Sequence, residues 1–197
     1  MQKISEIIAT VFYIGKIKYA PGTFGSLPAF LICYVIKHFA FDNQEVFNID
    51  ILSFYQQQLL SVFAIEISVL VAIFLIGTYC THVYIKDKDN KDPKEVVIDE
   101  VVGQMLTIIL VYFPSMLLFF SPFGLLMSPS YFDLLFLFIL PFGLFRLYDI
   151  KKPWPICWVD QKCKGALGVM IDDVIAGIFA AVTQSVIILL ILDFYAK

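Results

Sequence analysis

Charge is scarce in this chain of 197 residues. Only 16% of them are Asp, Glu, Lys or Arg, against about a quarter in an ordinary soluble domain, and 60% are apolar. One core could not hide that much apolar surface from water, so a soluble globular domain is excluded and lipid is the natural solvent. Basic surplus is missing too. The formal net charge is −3, which leaves no face for nucleic acid. Cysteines are few, and Cys33, Cys80, Cys157 and Cys163 have no C-x-x-C spacing, so they read as reduced thiols and not as a zinc site. The two histidines, His38 and His82, likewise lack partner spacing. No Ser-, Gly- or Pro-rich linker divides the chain, and residues 1–197 read as a single domain. The opening Met1-Gln2-Lys3-Ile4-Ser5-Glu6 has neither the apolar run nor the cleavage site of a signal peptide, so no cleavage is expected.

Apolar runs are what the chain has in plenty. A spanning helix needs about 20 mostly apolar residues. Leu59–Tyr79, Val101–Phe120 and Val174–Leu192 satisfy this, the first with one charge, Glu66. Phe24–Phe41 and Phe132–Tyr148 are shorter and carry charges near their ends, and Pro141 is placed to kink the latter. The reading is an all-α membrane bundle of about five helices. If all five span, the tail 1–23 and the loops 80–98 and 149–172 share one side. That side holds Lys3, Lys16, Lys18, Lys86, Lys88, Lys91, Lys94, Lys151, Lys152, Lys162 and Lys164, and Arg146 faces it too, while the loops 42–58 and 121–131 hold no basic residue. By the positive-inside rule the lysine-rich side is cytoplasmic.

The chemistry-bearing residues fall on that same side. Asp99 and Glu100 are expected in the first turn of one helix, Asp172 and Asp173 in the first turn of another, and Asp149 at the end of a third. Acids are favoured at helix N-termini by the macrodipole, so capping is the plain alternative for any one of them. Capping does not explain why five carboxylates converge at lipid depth, where ionisable groups are costly and are usually paired or functional. Oxygen donors without a His or Cys cluster suit Mg²⁺, and clustered like charges need a cation. Arg146 is the only arginine among thirteen lysines, and its planar fork binds phosphate bidentately as lysine cannot. It stands three residues before Asp149, so a structural ion pair is the competing reading. Lys152, beside Pro153-Trp154-Pro155, can attract an anionic headgroup, whereas Trp154 and Trp158 belong to an interfacial aromatic belt. In Pro21-Gly22-Thr23-Phe24-Gly25-Ser26-Leu27-Pro28, free backbone N–H groups with the Thr23 and Ser26 hydroxyls can cradle phosphate, or the stretch is a turn and an ordinary cap. Glu66, inside a span, is either neutral in the bundle interior or bonded to a facing Ser or Thr.

Three blocks then carry a resemblance. Pro21–Pro28, Val97–Gln104 with its Ile98-Asp99-Glu100-Val101-Val102-Gly103, and Phe145–Gly177 with its Lys152-Pro153-Trp154-Pro155 and Gly168-Val169-Met170-Ile171-Asp172-Asp173 resemble the signature blocks of the bacterial phosphatidylglycerophosphatase A family. They bracket nearly the whole chain. Gly165-Ala166-Leu167-Gly168 departs from the pattern, standing where a Gly-Gly pair often occurs, and it removes no acid. The resemblance implies a Mg²⁺-dependent lipid phosphatase of the bacterial plasma membrane that converts phosphatidylglycerophosphate to phosphatidylglycerol and phosphate. Asp99, Glu100, Arg146, Asp149 and Asp173 would be catalytic. Thr23, Ser26, Arg146 and Lys152 would bind substrate, and Asp99, Glu100, Asp149, Asp172 and Asp173 would hold metal. No Cys-x₅-Arg loop or Asp-x-Asp-x-Thr nucleophile is present, which leaves metal-assisted attack of water. A small cation transporter resting on Glu66 is the alternative, and a scaffold without chemistry a third.

Overall fold

A computed structural model describes residues 2–42, 54–88 and 93–196, and among these every regular element is helical. Most of the loop 42–58, together with Lys91, Asp92 and Lys197, lies outside the described residues. The helices are α1 (Gln2–Ala9), α2 (Pro21–Asp42), α3 (Phe54–Ile85), α4 (Ile98–Phe119), the short α5 (Pro122–Leu125) and α6 (Pro129–Phe132), α7 (Leu140–Lys151), α8 (Ile156–Lys162) and α9 (Ala166–Ala196). A π-helical stretch, Asp133–Ile139, joins α6 to α7.

Four helical columns are long and apolar enough to cross a membrane: Gln56–Ile85, Ile98–Phe119, Pro129–Lys151 and Ala166–Ala196. The sequence suggested five. The fifth, α2, has 22 residues but contains Pro28, Lys37 and His38 and is not among the four. It nevertheless runs the length of the bundle. Gly22, at its start, abuts Glu100 near the start of α4. Lys37, farther along, lies 3.8 Å from Glu66 of α3 and 3.8 Å from the ring centroid of Tyr112 of α4. At 1.5 Å per residue, these three side chains stand about 20–30 Å from the end where α2 and α4 begin and α3 finishes. Glu66 therefore has Lys37 as its partner, in place of the Ser or Thr envisaged from sequence.

The close pairing of α4 with α9 forms the spine. In lipid, helices associate through packing more than through water exclusion, so small residues matter. A Cβ on Gly177 would stand 2.5 Å from the Gly103 carbonyl oxygen, and one on Gly103 would stand 2.6 Å from the Asp173 carbonyl oxygen. Only glycine permits that approach. Thr107 adds to it, donating to the Gly103 carbonyl at 2.9 Å and to that of Gly177 at 3.3 Å. Buried Ala176 and Ala180 continue the seam and pack with Phe145 and Ile156.

Instead of a simple kink at Pro141, the column widens into π-turns over Asp133–Ile139. Widened turns disturb the usual backbone pairing, and lipid offers no replacement donor. Gln184 of α9 supplies one, donating from Nε2 to the Phe136 carbonyl at 2.6 Å.

The N-terminal segment closes the other end of the bundle. Val97 N–H donates to the Ala9 carbonyl at 3.0 Å. Tyr84 donates to Glu95, and Lys88 reaches the same carboxylate at 3.1 Å. Residues 2–20 thus sit at the end where α4 starts, as the charge asymmetry predicts.

Candidate active site

Four helices deliver side chains to that end. Asp99 and Glu100 lie in the first turn of α4, as expected. Asp172 and Asp173 do not occupy a first turn. Helix α9 begins at Ala166, so the pair stands in its second turn, and N-terminal capping cannot be their role. Arg146 and Asp149 share one face near the end of α7. Lys152 ends that helix in a left-handed conformation with φ +41, and Pro153 follows.

Asp99, Glu100 and Asp173 each bring a carboxylate oxygen to within 4.8 Å of the others. Asp99 is 8% exposed and Asp173 3%. Asp99 and Glu100 are within hydrogen-bonding reach of each other, as are Asp149 and Asp173. Asp99 Oδ1, Glu100 Oε2 and Asp173 Oδ2 are nonetheless buried with no hydrogen-bond donor among the described residues. Counting Asp149, Asp172 and Asp160, which shares Lys152, six carboxylates face two cations, Arg146 and Lys152. If all are ionised, four negative charges are in excess. Buried acceptors at such spacing, all oxygen, fit a hard divalent cation such as Mg²⁺.

The cations are placed differently. Arg146 Nη1 lies 2.5 Å from Asp149 Oδ2 and 3.8 Å from Glu100 Oε1, yet Nε and Nη1 have no aligned hydrogen-bond acceptor among the described residues. The guanidinium is held by charge while part of its donor fork stays unused. Lys152 is fully engaged, 2.5 Å from Asp172 Oδ2 and 2.7 Å from Asp160 Oδ1. Burial works to lower its pKa, but the hydrogen bonds to Asp160 and Asp172 outweigh it and the ammonium is raised above its ordinary value. Asp172 is equally committed, since its other oxygen accepts the Asp173 N–H at 3.0 Å. Asp172 thus anchors Lys152 rather than offering a free oxygen to the cluster.

The Pro21–Pro28 stretch is itself helix, not a loop leading into one. Its ladder opens with Phe24 N–H donating to the Ala20 carbonyl at 3.3 Å, so the Gly22 and Thr23 N–H groups precede it. A Cβ at Gly22 would overlap Glu100 Oε1 and stand 2.9 Å from Arg146 Nη2, so this free helix end presses directly on the site. Thr23 is half-buried on the same turn. Ser26 is fully buried, and its hydroxyl donates to the Gly22 carbonyl at 2.8 Å.

Other candidates fall elsewhere. His82 is exposed in the last turn of α3. Glu66, the support for a transporter, lies deep in the bundle beside Lys37 and apart from the acids. Trp154 and Trp158 are exposed, as suits an interfacial belt. Sequence reasoning missed the structural part of Gly22, Gly103 and Gly177. One signal was available: Asp99 and Asp173 are each followed four residues later by a glycine, Gly103 and Gly177, so each acid stands one turn from the crossing.

An apolar helical bundle with four helices long enough to cross a membrane, and an oxygen-rich acid cluster beside an arginine at one end, is the architecture of a polytopic membrane protein. Comparison with known proteins narrows this. The phosphatidylglycerophosphatase A family model matches residues 7–188, so the chain belongs to that family. It is 29% identical to the phosphatidylglycerophosphatase A of Escherichia coli strain K12 over 176 residues, 89% of this chain and 78% of that one. It is 30% identical to the Haemophilus influenzae protein of the same name over 179 residues, 90% of this chain and 84% of that one. No solved structure matches.

Proposed function

We propose that this protein is a Mg²⁺-dependent phosphatase of the bacterial plasma membrane, with its site facing the cytoplasm, that hydrolyses phosphatidylglycerophosphate to phosphatidylglycerol and inorganic phosphate. Family membership supplies the substrate. The observation that carries the mechanism is the set of orphaned, buried oxygens of Asp99, Glu100 and Asp173 beside the partly unused Arg146 fork.

Asp99, Glu100 and Asp173 would hold the cation, with Asp149 completing the group through Asp173. When bound, Mg²⁺ supplies charge neutralisation and polarises the phosphoryl group. Arg146, oriented by Asp149, takes two phosphoryl oxygens through its free donors and stabilises the charge that develops on them. Gly22 and Thr23 N–H groups at the start of α2 add a positive helix end to the same anion, with the Thr23 hydroxyl on that turn, while Ser26, committed to the Gly22 carbonyl, shapes the turn from within. Lys152 lies one step outside and draws the anionic headgroup towards the mouth. The oxygen of water bonds to phosphorus as the ester P–O bond breaks. One carboxylate oxygen accepts the proton of the water, and the departing phosphatidylglycerol oxygen takes up a proton.

Phosphate release from phosphatidylglycerophosphate in mixed micelles tests the reading. Activity is expected to vanish in EDTA and to return with excess Mg²⁺. Full turnover in excess chelator would remove the role given to the carboxylates, and release from soluble phosphate esters alone would remove the lipid substrate.

A further inference from the structure

Gln104 follows Glu100 by four residues on α4, so it stands one helical turn deeper on the same face, about 5–6 Å away between Cβ atoms. It is completely buried, and neither Nε2 nor Oε1 has a hydrogen-bond partner among the described residues. An amide offers two donors and an acceptor, and shutting all of them away unsatisfied is costly in lipid-embedded protein. The fold satisfies such a group where it can. Gln184, buried to the same degree on α9, donates to Phe136 and reaches Ser115 Oγ at 3.4 Å. Thr107, three residues beyond Gln104, is bonded twice. Buried Thr81 Oγ1 and Gln184 Oε1 are single orphans, but Gln104 is the buried amide with both polar atoms unpartnered among the described residues.

Its nearest orphan in helical register is Glu100 Oε2, with Asp99 Oδ1 and Asp173 Oδ2 in the same cluster. All three only accept. A group bridging these oxygens and both ends of an amide must donate and accept at once. A metal ion can do neither for the amide N–H, and a phosphoryl oxygen cannot donate to the carboxylates. Water does both. We propose that Gln104 belongs to the reaction centre, its amide holding the attacking water between itself and the carboxylates of the turn above. The inference rests on the hydrolytic reading of the acid cluster and adds to it the residue that aims the nucleophile. The proton of that water passes to a carboxylate, and Gln104 remains neutral throughout.

The test is Gln104→Leu, which keeps the shape of the side chain and removes its hydrogen bonding. With the full chain in Mg²⁺-containing micelles, kcat is expected to fall about 10²-fold while KM stays within about 3-fold. Affinity for a non-hydrolysable phosphonate analogue of the substrate should be unchanged, and the melting temperature should equal or exceed that of the parent. A merely orphaned amide predicts the opposite: removing it should raise the melting temperature and leave turnover intact, and that result overturns the proposal. Loss of phosphonate binding in step with kcat would also overturn it, because the residue would then be building the site. If Gln104→Leu does not yield folded protein, Gln104→Asn, which withdraws the amide by one methylene, decides. A kcat-only loss supports the proposal and parent-like turnover sinks it. A parent that releases no phosphate overturns the hydrolytic reading and this inference with it, whereas an active parent with an indifferent Leu variant overturns the inference alone.

Discussion

Arg146 separates chemistry from architecture at the scale of single residues. Were it only the partner of Asp149, Arg146→Lys would be mild, because the charge and the 2.5 Å contact could be kept. If its open donors grip the phosphoryl group, lysine loses the fork, and kcat should fall about 10²–10³-fold, as on losing an oxyanion donor. Asp149→Asn should be at least as damaging, since an amide can neither neutralise the guanidinium nor serve the cluster as an anion. Both variants should purify and melt like the parent, because neither empties a packed core. Steady-state kinetics beside a thermal melt gives the answer. Near-normal turnover in two well-folded variants would defeat the assignment, and poor folding of both would return the pair to a structural role.

Among elements, the α4–α9 crossing sets how closely the acids meet. Gly177→Ala puts a methyl 2.5 Å from a backbone oxygen that has no flexible end to yield, so the two helices must part. The expected cost is about 1–3 kcal/mol, as for other overpacked sites, together with loss of phosphate release, since Asp173 moves with the helix. Gly143→Ala on α7 is the control. Nothing lies within 4 Å of its added Cβ, and the change should be neutral or stabilising by about 0.5–1 kcal/mol. Thermal unfolding in detergent with parallel activity measurements distinguishes them, and equal behaviour of the two variants would mean that the crossing is not tight. The same crossing marks where the sequence stops being legible. Long apolar runs announced α3, α4 and α9 because lipid demands them, and scarce charges announced Asp99, Glu100, Arg146, Asp149 and Asp173 because each is expensive there. Helix starts were less visible. Ala166–Ile171 is as apolar as the span behind it, so nothing in composition placed Asp172 and Asp173 in a second turn instead of a first. The partner of Glu66 was equally hidden, because Lys37 meets it only through the packing of α2.

For the whole molecule, the lysine asymmetry and the packing of residues 2–20 against the start of α4 support the proposed cytoplasmic orientation of the site. Cys163 is exposed between α8 and α9 and serves as a natural reporter. In sealed, oriented inner-membrane vesicles, a membrane-impermeant thiol reagent should reach it only from the cytoplasmic face. On a Cys163→Ser background, Lys86→Cys should label from that same face, and Leu126→Cys, 78% exposed beyond α5, only from the other. Labelling of positions 86 and 163 from opposite faces would end a model in which one surface carries the whole site.

The acid cluster also has a history written into its chain order. Asp99 and Glu100 are made with α4, Arg146 and Asp149 with α7, and Asp172 and Asp173 with α9, which leaves the ribosome after both. Until α9 docks, Gly103 meets only Phe145 of α7, and the carboxylates of α4 lack the third acid of the cluster, Asp173. If the cluster holds the proposed cation, the capacity to do so should arise in one step, when α9 seats itself. A chain halted before α9 would be inserted in the bilayer yet catalytically silent, and a membrane filling with half-made copies would be spared premature hydrolysis.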